Sequence, residues 1–249
     1  MIRTALAAAL FLAATAARAQ DAELPPVRYP ALAPHADAAQ GFVPAGWTLE
    51  QQQSGDLNGD GRADLALAFH QADSKNVIAN EGGMCGDTID TNPRILAVVL
   101  AVPGGGFKLA AENHSLVPRY DSPCADDWFA ADSTGGGGIT IERGALQVRL
   151  SHFMSAGGWS MGSSTFTFRW QQGALRLIGF DYVNAQRNTG AMDTLSINYL
   201  TRRVKTAHGT TNSDKEKISW STLPAAPPPT IEQVGNGMEF DPNGLVSNL

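Results

Sequence analysis

The stretch Ile139-Thr140-Ile141-Glu142-Arg143-Gly144-Ala145-Leu146-Gln147-Val148-Arg149-Leu150 is written as a β-hairpin. Apolar residues recur at every second position on either side of Arg143-Gly144. Each arm therefore offers one apolar face when extended, and the central pair supplies a tight turn. The pattern continues downstream. Phe166, Phe168 and Trp170 alternate with Thr165, Thr167 and Arg169, and Gln172-Gly173 turns the chain into Leu175-Arg176-Leu177-Ile178. Leu195, Ile197 and Tyr199 alternate again, and Thr201-Arg202 turns into residues 204–206. Upstream, residues 95–102 are apolar without a break, the mark of a strand covered on both faces. No segment keeps a helical period over three turns. The expected fold is all-β, an antiparallel meander forming a β-sandwich or a β-propeller-like fragment.

A second stretch carries chemistry: Gly55-Asp56-Leu57-Asn58-Gly59-Asp60-Gly61-Arg62-Ala63-Asp64-Leu65. Oxygen-bearing side chains stand at loop positions 1, 3, 5 and 9, with glycine at 6. Calcium takes six to eight oxygens, partly from carboxylates and partly from a backbone carbonyl, and alternate residues of a curved loop aim their oxygens inward. An EF-hand would place a bidentate Glu at position 12, where this chain has Leu67, and the flanks read as strands. Three carboxylates so close together also repel one another unless a cation neutralises them.

The run Asp-Leu-Asn-Gly-Asp-Gly-Arg-Ala-Asp-Leu resembles the calcium loop of FG-GAP/VCBS-type repeats, found in integrin-type β-propellers and many secreted bacterial proteins. The resemblance spans roughly residues 47–69 and occurs once. It implies bound Ca2+ with Asp56, Asn58, Asp60, the Arg62 carbonyl and Asp64 as ligands. Propeller blades recur at a fixed period, and no recurrence is visible.

The start of the chain reads as a secretory leader. Arg3 precedes the short apolar run 5–17, and Ala17-Arg18-Ala19 has the small-x-small pattern of a cleavage site. That run is too short to span a bilayer, so no membrane insertion is expected once the leader is removed, and the expected location is periplasmic or secreted. Loss of Arg3 and Arg18 leaves 16 basic residues against 24 acidic, a net charge of −8. Nucleic acid and anionic membranes need a basic footprint, which this balance does not supply. In an oxidising compartment Cys85 and Cys124 are expected to pair. The domain plan is a signal peptide over 1–19, an Ala/Pro-rich arm over 20–46, an all-β domain over 47–222 with the calcium loop at 56–64, and a Pro-rich linker and tail over 223–249. Apolar residues of that tail, Ile231, Val234, Met238, Phe240 and Leu245, leave docking and disorder equally open.

Catalytic candidates are few. Gly158-Trp159-Ser160-Met161-Gly162 has the G-x-S-x-G form, and Asp181 or Asp193 followed by His208 completes the order of a Ser-Asp-His hydrolase. That motif needs a strand before it and a helix after it, whereas residues 163–170 read as a strand. His152 continues the phase of Leu146, Val148 and Leu150 and reads as a hydrogen-bonded histidine at the core edge. Asp126-Asp127 reads as a solvated turn beside the disulfide. Trp159, between Gly158 and Ser160, is the tryptophan expected to be exposed, the feature a glycan-binding surface would use. The expected function is an exported calcium-binding β-domain acting as a non-catalytic binding or interaction module for a protein or glycan. The alternatives are a secreted serine hydrolase using Ser160 and a carbohydrate-binding module.

Overall fold

A computed structural model describes residues 24–81, 84–130 and 136–249; the leader at 1–19 lies outside them. Among the described residues the strands, in chain order, are β1 (His35–Ala36), β2 (Trp47–Gly55), β3 (Asp64–Gln71), β4 (Val77–Ala79), β5 (Thr88–Asp90), β6 (Arg94–Ala101) and β7 (Phe107–Asn113). They continue as β8 (Gly138–Glu142), β9 (Ala145–Phe153), β10 (Ser160–Gln171), β11 (Ala174–Gln186), β12 (Ala191–Asn198), β13 (Arg203–Thr210) and β14 (Ser213–Thr222). A five-stranded sheet has the order β1-β7-β6-β3-β2. A seven-stranded sheet runs β14 to β8 in unbroken sequence order, and β4 pairs only with β5. The pairings are antiparallel throughout.

The chain is thus an all-β antiparallel meander, and its two main sheets stack as a sandwich. Alternation fixes the layers. Ala66, Ala68, Leu96 and Val98 face Val148, Phe166, Phe180 and Ile197 of the large sheet in one core. Leu65, Leu67, Phe69, Ile95, Ala97 and Val99 point the other way, into a second core closed by Leu32, Ala39, Phe42 and Trp47. That is why residues 95–99 are apolar at every position, since β6 is buried on both faces. The described part of the Ala/Pro-rich arm is therefore a third layer packed on the small sheet. Its prolines hold the chain extended while Leu32 and Phe42, 7% and 1% exposed, supply the contact. At the turn between β8 and β9, Arg143 and Gly144 take φ of 51° and 70°, the two positive values of a type I′ hairpin.

The far end docks as well. Ile231 and Val234 are buried, and Phe240 meets Phe166 and Phe180 edge-on, with ring centroids 5.3 and 5.0 Å away. The backbone follows: the Leu177 amide donates to Pro229 O at 2.9 Å and the Gly237 amide to Leu116 O at 3.1 Å. Cys85 and Cys124 form a disulfide with Cα atoms 5.0 Å apart. It ties the β4–β5 excursion to the segment entering the large sheet.

Candidate functional site

The loop 56–64 leaves β2 at Gly55 and enters β3 at Asp64, which is paired directly opposite Gly55. Asp56 sits at its centre. Its Oδ1 accepts from the Gly59 and Asp60 amides at 2.7 and 3.2 Å, and its Oδ2 from Gly61 at 2.9 Å. Asn58 and Asp60 lie side by side on the solvent side: Asn58 Nδ2 donates to Asp60 Oδ2 at 3.1 Å, and the Asp60 amide donates to Asn58 Oδ1 at 2.9 Å. The Arg62 amide, ahead of the other neighbours, lowers the pKa of the Asp60 carboxyl, so the group is ionised at neutral pH. Arg62 also folds its guanidinium back onto Asp60 Oδ2 at 2.5 Å.

Asp64 stands apart from these three. It is fully buried, and its carboxylate accepts from the amides of Leu57 at 2.9 Å, Asn58 at 3.3 Å and Ala101 at 2.9 Å. One side chain thereby closes the loop and pins the end of β6 beneath it. Among the described residues no three His, Cys, Asp or Glu side chains gather as a metal-binding group. The oxygen-bearing side chains nearest solvent are Asn58 and Asp60, beside each other, with the Asp56 carboxylate held by the loop amides next to them. The donor chemistry, carboxylate and amide oxygen on one bend with the Arg62 carbonyl two residues after Asp60, suits a hard cation such as calcium. Asp64→Ala removes the shared acceptor of three amides and is expected to cost about 3 kcal/mol in urea unfolding whether or not metal is present. A loss under about 1 kcal/mol would show that the carboxylate is dispensable.

The remaining candidates fall along one line of the large sheet. Cross-strand register places His152, Gly162, Asn184, Asp193, His208 and Lys217 opposite one another from β9 to β14. They share the face of Val148 and Phe166, one end beyond the core. Asp193 and His208 do meet, Oδ1 to Nδ1 at 2.7 Å. Ser160 does not join them: β10 and β13 are three strand spacings apart, about 14 Å. Its hydroxyl donates to Asn184 Oδ1 and lies 3.3 Å from His152 Nε2, which also lies 3.3 Å from Asn184 Oδ1. Asn184 and the serine thus share one imidazole nitrogen, whereas a triad needs its third member on the other. Burial lowers the pKa of His152, against the opposing Asn184 hydrogen bond, so the ring is neutral.

Ser160 opens a long strand rather than a helix. Gly162 has its own reason to be glycine, since a Cβ there would lie 1.9 Å from Val183 O and 2.9 Å from the His152 ring. Trp159 is 60% exposed, as its setting foretold.

Asp127 is not a merely solvated residue. Arg94, 4% exposed, grips Glu50 through Nε and Nη2 at 2.7 Å each, and Asp127 through Nη1 and Nη2 at 3.0 and 2.6 Å. Its guanidinium lies 5.4 Å from the centre of the Phe129 ring. Sequence reading passed over this arginine because it heads an apolar run and its two partners are 44 and 33 residues distant. No family model, curated protein or solved structure matches the chain.

Proposed function

We propose that this chain is an exported, calcium-binding β-domain, a non-catalytic binding or interaction module whose ion ties the β2–β3 connection together. The observation that carries the reading is the grouping of Asp56, Asn58 and Asp60 on one solvent-facing bend, where two carboxylates and an amide oxygen stand within hydrogen-bond reach of the same short backbone. The spacing is that of the FG-GAP/VCBS-type loop it resembles. The cation would replace the Arg62 guanidinium on Asp60 and relieve the repulsion between Asp60 and Asp56. Asp64 serves beneath it as the buried support. Export is supported by the leader-like start and by the disulfide, which persists in oxidising compartments.

Extracellular loops of this kind bind calcium at about 0.1–1 mM. Ten millimolar calcium is then expected to raise the melting temperature by about 5 °C, from the ligand-excess relation and the usual entropy of unfolding at this size. Magnesium, smaller and reluctant to shed water, gives a smaller rise. Asp60→Ala abolishes the calcium response. A melting curve indifferent to calcium in the unmodified protein would end this reading.

A further inference from the structure

At the turn end of the large sheet a cavity of ≈ 260 Å³ opens between the β12–β13 turn, the proline segment and the tail. That approaches the lower bound of small-molecule pockets, roughly 300 Å³. Tyr199, Leu223, Pro227, Pro229 and Phe240 make flat apolar walls, and Arg202 and Asn243 stand among them as the polar groups. Two features distinguish it from a packing fault.

The walls are stiff. Proline rings fix their own backbone, and Phe240 is wedged against Phe166 and Phe180, so little order has to be imposed when something enters. The cation is unspent. Arg202 makes no side-chain hydrogen bond or ion pair among the described residues, while the adjacent Arg203 lies 4.2 Å from the centre of the Trp220 ring. The backbone is held in an unusual state. Arg202 and Asn243 take φ of 57° and 58°, two of the five non-glycine residues with positive φ among those described, and both border this cavity. Asparagine adopts that region readily. An arginine does so at a cost of about 1 kcal/mol, one that Arg143 carries equally in the β8–β9 turn, so the conformation places Arg202 at the cavity edge without explaining it.

We propose that this cavity binds a small aromatic carboxylate, its ring between the prolines and Phe240 and its carboxylate on Arg202. Guanidinium and carboxylate match in planar, two-pronged geometry, and flat apolar walls favour a ring over a branched chain. Burial pushes the Tyr199 phenol up to about 12, so it stays a neutral hydroxyl at any working pH and adds no repulsion toward an anion. The site is independent of the calcium loop, and either can fail without the other.

The test is calorimetric titration of the intact protein with 2-naphthoate and with neutral 2-naphthamide. The naphthoate is expected to bind with a Kd below about 1 mM. The amide binds about tenfold more weakly, and Arg202→Asn, which keeps the turn conformation, weakens the naphthoate by about the same factor while leaving the amide unchanged. Ala226 also lines the cavity from an exposed position, and Ala226→Trp, which fills the space there, abolishes both, with circular dichroism checking the fold. No heat at 5 mM naphthoate, equal binding of acid and amide, or binding that survives Ala226→Trp would each overturn the proposal.

Discussion

Arg94→Ala is expected to lower the melting temperature by about 10 °C, the effect of losing roughly 3–5 kcal/mol in a chain of this size. The guanidinium is nearly inaccessible and is forked on both sides, by Glu50 from β2 and by Asp127 from the segment after the disulfide. Removing it leaves two partly buried carboxylates side by side with no cation between them. Their own exposure, 24% and 33% of the side chain, lets water in and keeps the loss below that of a wholly buried pair. Arg94→Lys should lose about half as much, since a single ammonium cannot satisfy two bidentate partners. Replacing all three residues by Met, Gln and Asn should recover most of the loss, because the damage comes from the stranded charges more than from the missing pair. Thermal melts of the three variants decide it. An Arg94→Ala protein within about 1 kcal/mol of the parent would mean that the triad is ornamental.

A chain ending at Pro229 is expected not to fold cooperatively at all. Truncation removes Ile231 and Val234 from the core, together with Met238, Phe240, Leu245, Val246 and Leu249 packed against it. At about 1.5 kcal/mol for each apolar side chain taken from water, the loss is roughly 10 kcal/mol, comparable with the entire stability of an ordinary domain. It also bares Phe166 and Phe180, which Phe240 covers edge-on. Near-ultraviolet circular dichroism of the truncated chain should lose its aromatic signal, and a synthetic 230–249 peptide should restore it. A sharp melt at the parental temperature would show that the tail is an accessory.

Much of the architecture is written locally. Alternation over 139–150 and 165–178 names strands and turns because a β-strand sorts its side chains by parity, a property of neighbours in sequence. The oxygen spacing of 56–64 is likewise local, and so is the exposure of a tryptophan set between a glycine and a serine. The disulfide is expected from there being only two cysteines and a leader-like start that suggests an oxidising compartment.

Tertiary structure decided everything that depends on what lies opposite. The parity rule cannot say which of two sheets receives a face, so the covering of β3 and β6 by residues 32–47 was invisible. The same holds for the tail, whose apolar residues are too sparse to show a period and acquire meaning only beside Phe166. Within the loop, Asp64 looks like one more ligand by spacing, but its carboxylate turns to the Ala101 amide, which only the folding of β6 beside β3 brings near. Chain order likewise suggested Ser160, Asp193 and His208 as a triad. Strand pairing joins the second to the third and leaves the first three strands away. Spacing along a strand is set by covalent geometry and can be read in advance. Distance across a sheet is set by register, which emerges only when the whole core closes.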